Sequence, residues 1–344
     1  MGGMSVAVLC EDVRLGRNVM LKIVQAPKFK SRLVDEINSL LAIRSKNVVQ
    51  ILDLAQLEVA GDWVDCIVLE HIQGKELLEG SFTCDRNFAG LLLQIASGLR
   101  EIHETGIVHR DIKPNNIMLD DRGVVKIIDF GLAREIDKNN HTNSAVGHLP
   151  YMAPELLSPP VTFSQKADVY SFGVLALGLM TSRIPQFCTT LPRSYPFPRA
   201  PIISAFSNFH DALREHLYRC FSENPEDRPT MTVIQSLLAK EYWKGLRKAS
   251  VSLPSGSVTV SAANRKATPS IRSKSTNTVV SSLVIEYDDI DFIVTAITGG
   301  VLANNIPLVA GSRMPDACVL SFPSATPSRR FFATWDVSNP ELIV

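Results

Sequence analysis

The chain has 344 residues, 45% of them hydrophobic and 20% charged, and a formal net charge of zero. That length supports about two domains with a substantial core, and the composition is that of a globular chain rather than a disordered one. With no net charge, nothing in the balance argues for nucleic acid or a membrane surface as a partner.

The start, Met1-Gly2-Gly3-Met4, lacks the charged stretch and apolar run of a secretory leader. Val6, Val8 and Cys10 then alternate, Arg14-Leu15-Gly16-Arg17-Asn18 turns the chain, and Val19–Val24 reads as a second strand. Residues 31–43 switch to a helical period, with Leu33, Ile37, Leu40 and Leu41 on one face and Glu36 off that stripe. Val48–Leu54 and Cys66–Leu69 are further strands, and Glu70–Gly74 is a polar exit. The opening of the chain is therefore expected to be a small strand-rich lobe with one helix. From Asn87 onward the pattern turns helical: Leu91–Glu104, Ser164–Met180, Phe209–Phe221 and Met231–Ala239.

Residues 244–282 carry seven basic residues, fourteen Ser or Thr and no acidic residue, which predicts a flexible linker. Strand-like runs return in 283–344, at Leu283–Ile285, Phe292–Ile297, Cys318–Phe322 and Phe331–Trp335, predicting a small β-rich segment. Phe292–Gly311 is uncharged over 20 residues, but Asn304, Asn305 and Pro307 interrupt it and disfavour a membrane span. The six cysteines (Cys10, Cys66, Cys84, Cys188, Cys220 and Cys318) form no C-x-x-C pair. Reduced thiols in a cytoplasmic protein are thus expected, with no disulfide framework and no zinc site.

Five short motifs stand in one order: Val19-Met20-Leu21-Lys22, Glu36, His109-Arg110-Asp111-Ile112-Lys113-Pro114-Asn115-Asn116, Asp129-Phe130-Gly131 and Ala153-Pro154-Glu155. Each alone is weak. Together, over residues 1–243, they resemble the eukaryotic-type protein kinase family. The resemblance implies an α+β bilobal fold, with a small β-rich N-lobe and a mainly α-helical C-lobe. It also implies transfer of the γ-phosphoryl group of ATP, with Mg²⁺, to a protein substrate.

The roles implied by that resemblance are specific. Lys22 reaches the α- and β-phosphates, and Glu36 is its ion-pair partner. Asp111 accepts or orients the substrate hydroxyl proton, and Lys113 is aimed at the transferring phosphate. Asn116 and Asp129 are the metal ligands. Glu155 is expected to pair with Arg228, and Asp168 to tie down the catalytic-loop backbone; these three are structural. Lys113 in its motif resembles Ser/Thr rather than Tyr kinases. Arg110 before Asp111 suggests control by activation-loop phosphorylation, with Thr142 and Ser144 as acceptors and Tyr151 structural.

The nucleotide site departs from the family pattern. In the glycine-rich loop, Gly2 takes the place of the second glycine, Ser5 the third and Ala7 the valine, with Gly3 between. The first glycine would lie upstream of Met1, so the expectation is a chain truncated within this loop. Met20 stands where alanine is usual, Leu69 is the gatekeeper, Glu70 and Ile72 offer backbone bonds to adenine, and Met118 is the floor. His148 replaces the usual threonine near Asp111 and Lys113.

In the tail, Arg247-Lys248-Ala249-Ser250 and Arg265-Lys266-Ala267-Thr268 place basic pairs before phosphoacceptors, suggesting modification within the linker. Gly311–Asp316 and Ser328-Arg329-Arg330 resemble the opening of a forkhead-associated domain, without its usual histidine. The alternative to an active kinase is a scaffold that binds partners through linker and tail.

Overall fold

The computed structural model describes residues 7–23, 41, 43–59, 62–129, 149–157, 163–253, 256–273, 275–324 and 329–339. It divides into two compact units, the second beginning at Trp243.

In the first unit, β1 (Ala7–Asp12) and β2 (Arg17–Ile23) form an antiparallel hairpin. Its turn closes with the Gly16 N–H donating to the Asp12 carbonyl at 2.8 Å, and Gly16 takes φ +61°, a conformation that favours glycine. With β3 (Ile51–Val59) and β4 (Asp62–Glu70) they make a four-stranded sheet in the order β1-β2-β4-β3. The register sets Met20 opposite Leu69, and Lys22 opposite Ala7 on one side and Ile67 on the other. The expected helix over 31–43 lies largely outside the described residues.

The rest of the unit is mainly helical, as the resemblance implied. Helix α1 (Arg86–Glu104) starts at Asp85, whose side chain accepts from the Phe88 N–H at 2.9 Å. Helix α2 (Gln165–Met180) is buried at every residue from Ala167 to Leu179, so its near-continuous apolar sequence makes it the central helix of the core. Short helices α3 (Gln186–Thr189) and α4 (Arg199–Ala205) lead to α5 (Asp211–Arg219) and α6 (Met231–Tyr242). Between the sheet and the helices runs a three-stranded sheet of β5 (Gly74–Glu76), β6 (Ile117–Asp120) and β7 (Val125–Ile127). Helix α1 lies close against β7 because residue 98 is glycine: a Cβ there would meet Ile127 Cδ1 at 2.8 Å and the Asn47 carbonyl at 2.9 Å.

Two buried charges brace the helical part. Arg228 donates to both carboxylate oxygens of Glu155 at 2.8 Å each, the pairing expected from the sequence. Asp168, in α2, accepts the backbone N–H of His109 and of Arg110, each at 2.8 Å, and His103 at 2.9 Å. The buried His109 imidazole is held below its ordinary value of 6.5 by desolvation. Neutral, it can carry only one proton. That proton lies on Nε2, which donates to the Ile128 carbonyl at 3.1 Å, while Nδ1 accepts the Asp111 N–H at 3.3 Å.

The second unit corrects two expectations. Residues 244–282 are not a flexible linker: they contribute β8 (Lys248–Leu253), β9 (Gly256–Ser261), β10 (Lys266–Ala267), β11 (Ser270–Arg272) and the start of β12 (Val279–Tyr287). The β-rich body therefore does not start at 283. It continues through β13 (Phe292–Thr298), β14 (Leu302–Ala303), β15 (Ile306–Pro307), β16 (Ala317–Pro323) and β17 (Arg330–Ser338). A six-stranded sheet runs β15-β14-β16-β17-β8-β9, and β12 pairs with β10, β11 and β13 in a second sheet. Their inner faces share one core that includes Val251, Val260, Leu283, Phe292, Leu320, Phe322 and Trp335.

Composition misleads here for a physical reason. A strand buries only alternate residues, so Ala249 and Val251 supply the core while Ser250 and Ser252 take the other face. The Ser- and Thr-rich spacing is the outer half of a strand pattern. One basic residue is not solvated either: Arg247 is 5% exposed, lies over the Phe292 ring, and donates to Asn339, Asp316 and the Ile290 carbonyl. Ser250 is paired on both edges, to Asp336 and Thr259, and so is not an acceptor in a loose segment.

Limited trypsin digestion of the native chain is expected to spare the bonds after Arg247 and Lys248; early cleavage there would restore the linker reading. For His109, the unfolded imidazole binds a proton below 6.5 and the folded one does not, so stability falls as pH drops below that value. His109→Gln reproduces both hydrogen bonds without titrating. Its thermal midpoint is expected to fall less than that of the wild-type chain on acidification, as read by circular dichroism.

Candidate active site

The catalytic loop is short and needs help from outside to keep its shape. Arg110 takes φ +70° and Asp129 φ +60°, conformations that cost a non-glycine residue roughly 1–3 kcal/mol. The Asp168 carboxylate holds the first, and the His109–Ile128 hydrogen bond lies immediately before the second. Strand β7 delivers Asp129, and a turn at Pro114–Asn116 delivers Asn116 just before β6.

Around Asp111 the side chains converge. Its Oδ2 accepts Lys113 Nζ at 3.0 Å and Asn116 Nδ2 at 3.0 Å, and Asn116 Nδ2 also donates to the Asp111 carbonyl at 2.7 Å. The two contacts fix the rotamer of this carboxylate. With the Asn116 nitrogen committed to Asp111, its amide oxygen makes no hydrogen bond among the described residues. Asn116 is itself 4% exposed.

Across the cleft, Lys22 on β2 is 8% exposed and forms an ion pair with Asp129. The structure thus joins Lys22 to Asp129; its expected partner Glu36 lies outside the described residues. Gly2, Gly3, Ser5, Thr142, Ser144 and His148 lie outside them too. Of the remaining residues expected at the nucleotide site, strand register sets Ala7 opposite Lys22 and Met20 opposite Leu69, and Met118 lies on β6. The Glu70 N–H donates to the Gln50 carbonyl at 3.0 Å and its carboxylate accepts from Lys126 Nζ at 2.6 Å. The Ile72 N–H makes no backbone hydrogen bond among the described residues.

Asn116 and Asp129 offer an amide and a carboxylate oxygen. Such a hard-oxygen set suits a small divalent cation that takes its other ligands from phosphate and water. Two contacts of the segment 149–152 were not legible beforehand. Arg193 donates to the Met152 carbonyl at 2.6 Å and to that of Leu149, pinning the segment 149–152. The Tyr151 hydroxyl donates to Glu79 at 2.7 Å, and burial pushes this phenol well above its ordinary range. Tyr151 is accordingly a strut. No sequence signal pairs these residues, since the partners lie 44 and 72 positions apart.

Comparison with known proteins agrees with this geometry. The protein kinase domain profile matches residues 1–243. Serine/threonine-protein kinase PrkC of Bacillus subtilis is 34% identical over 196 residues, covering 54% of this chain and 29% of its own length. A probable serine/threonine-protein kinase PknB of Corynebacterium glutamicum is 30% identical over 198 residues, 54% of this chain and 30% of its own length. Sperm motility kinase 3A of Mus musculus is 27% identical over 238 residues, 68% of this chain and 46% of its own length. The chain therefore spans less than half the length of each of these relatives. With the family profile covering the whole first unit and the convergence of Lys22, Asp111, Asn116 and Asp129 within it, the chain belongs to the protein kinase family.

Proposed function

We propose that this chain transfers the γ-phosphoryl group of ATP to serine or threonine hydroxyls of protein substrates. The observation that carries the reading is the Asp111 carboxylate held between Lys113 and Asn116, each at 3.0 Å. Asp111 accepts the proton of the attacking hydroxyl as the oxygen–phosphorus bond forms and the bond to the leaving ADP oxygen breaks. Lys113 bears on the transferring phosphoryl oxygens, and Lys22 on the α- and β-phosphates, exchanging its contact with Asp129 for them. Asn116 and Asp129 would hold Mg²⁺, which neutralises phosphate charge when bound. The names of the bacterial relatives and the Lys113 motif support serine and threonine as acceptors.

Arg110 lies over the Phe163 ring at 5.1 Å, and in this reading its guanidinium answers to phosphate on Thr142 or Ser144. A cytoplasmic site of action belongs to the same reading and is supported by six cysteines that are all free. Burial raises the thiols of Cys188 and Cys220 to about 12, so these two are inert packing groups.

The test is incubation with Mg-ATP and a generic protein acceptor, read by intact mass. Phosphate-sized mass additions are expected from the wild-type chain. Asp111→Asn, which keeps the shape of the side chain and loses the base, is expected to slow transfer by about 10²–10⁴-fold while still binding nucleotide. Equal rates in the two chains would remove Asp111 from the chemistry.

A further inference from the structure

A cavity lies in the helical part of the first unit, lined by none of the residues assigned above to phosphoryl transfer. Its volume is about 340 Å³, and Tyr195, Phe197, Tyr218, Phe221, Glu223 and Asp227 are its chemically distinctive lining. That is within the range of about 300–1,000 Å³ usual for small-ligand sites. Four aromatic side chains with two carboxylates at a rim form an uncommon combination on a protein surface.

The walls are preorganised. Tyr195 stacks on Phe197 with ring centres 4.6 Å apart, and Phe197 packs on Phe221 at 6.0 Å. The Tyr218 hydroxyl donates to the Phe197 carbonyl at 3.1 Å. The rim is fixed from beneath by Arg228, which donates to the carbonyls of Ser222 at 2.9 Å and Glu223 at 3.1 Å. Arg219 also reaches the Asp227 carbonyl, at 2.9 Å. The Glu223 and Asp227 carboxylates make no hydrogen bond or ion pair among the described residues, and both residues are exposed.

Aromatic faces and free carboxylates together select one chemistry, a planar or compact cation with an aliphatic stem. Rings of this region already accept guanidinium groups: Arg199 lies over Tyr218 at 5.2 Å, and Arg193 and Arg228 lie over Tyr170, outside the cavity, at 5.5 and 5.2 Å. We propose that this cavity is a docking site for an arginine side chain of a basic polypeptide segment, the guanidinium stacking on the rings and bonding to Glu223 and Asp227. Its position gives the contact a use. The Tyr195 hydroxyl is 3.4 Å from that of Tyr170, on which Arg193 stacks, and Arg193 pins the segment 149–152. A polypeptide anchored here is held next to the segment that faces the acceptor.

The test needs no phosphoryl transfer, so an inactive chain still answers it. A fluorescent peptide of alternating alanine and arginine is titrated with the full chain without nucleotide, and anisotropy is read. Saturable binding is expected, at least tenfold weaker for the same peptide with citrulline in place of arginine, since citrulline keeps the shape and loses the charge. The double variant E223Q/D227N is expected to weaken the arginine peptide at least tenfold. A charge-matched variant outside the cavity, E58Q/D121N, is expected to bind within twofold of wild type. Absence of binding to the wild-type chain, equal binding of the citrulline peptide, or equal loss in the two double variants would each overturn the proposal. The citrulline comparison uses the wild-type chain alone and stands even if a variant folds poorly.

Discussion

Everything at the reaction centre depends on one buried carboxylate. Asp168 is 1% exposed, and its two oxygens receive the backbone N–H groups of His109 and Arg110 together with the His103 ring. A charge so deep in an apolar helix is tolerable only if fully hydrogen-bonded, and here the partners are the backbone of the loop that carries Asp111. The requirement works in both directions: the carboxylate needs the donors, and the strained loop needs the carboxylate.

From that anchor the order spreads by short links. His109 passes it to Ile128, and so to the residue before Asp129. Asn116 passes it back to Asp111 through two hydrogen bonds from one nitrogen. The Ile128 N–H in turn donates to the Asn116 carbonyl at 2.9 Å, closing the circuit between the two metal-ligand candidates. Lys22 comes from the four-stranded sheet, and its ion pair with Asp129 joins that sheet to the residue that follows β7. Hydrogen bonds and the Lys22–Asp129 and Lys113–Asp111 ion pairs link these residues into one network, so its parts are expected to respond to substitution non-additively.

How far the sequence could be read differs between the two units. In the first, the order of short motifs pointed to Lys22, Asp111, Lys113, Asn116 and Asp129, and β-register and the turn at 114–116 do bring them together. The Glu155–Arg228 pair and the role of Asp168 were also legible, because each rests on a recognisable motif. In the second, a count of Ser, Thr and basic residues hid the strands over 248–272. The period-two burial of Ala249, Val251 and Val260 was present, but short strands with Ser or Thr between the apolar positions resemble a solvated coil.

By itself the sequence determined the chemistry: which side chains can take a proton, which can hold a cation, and which helix must be central because it has no polar face. Those properties are local, written in residue type and period. Only the tertiary structure decided the partners. Arg193 on the carbonyls of Leu149 and Met152, Tyr151 on Glu79, Arg247 inside the second unit, and the aromatic cavity around Tyr195 all join residues that no spacing rule connects. A contact across scores of residues is selected by packing of the whole core, where shape and the demand that every buried polar group be satisfied apply at once.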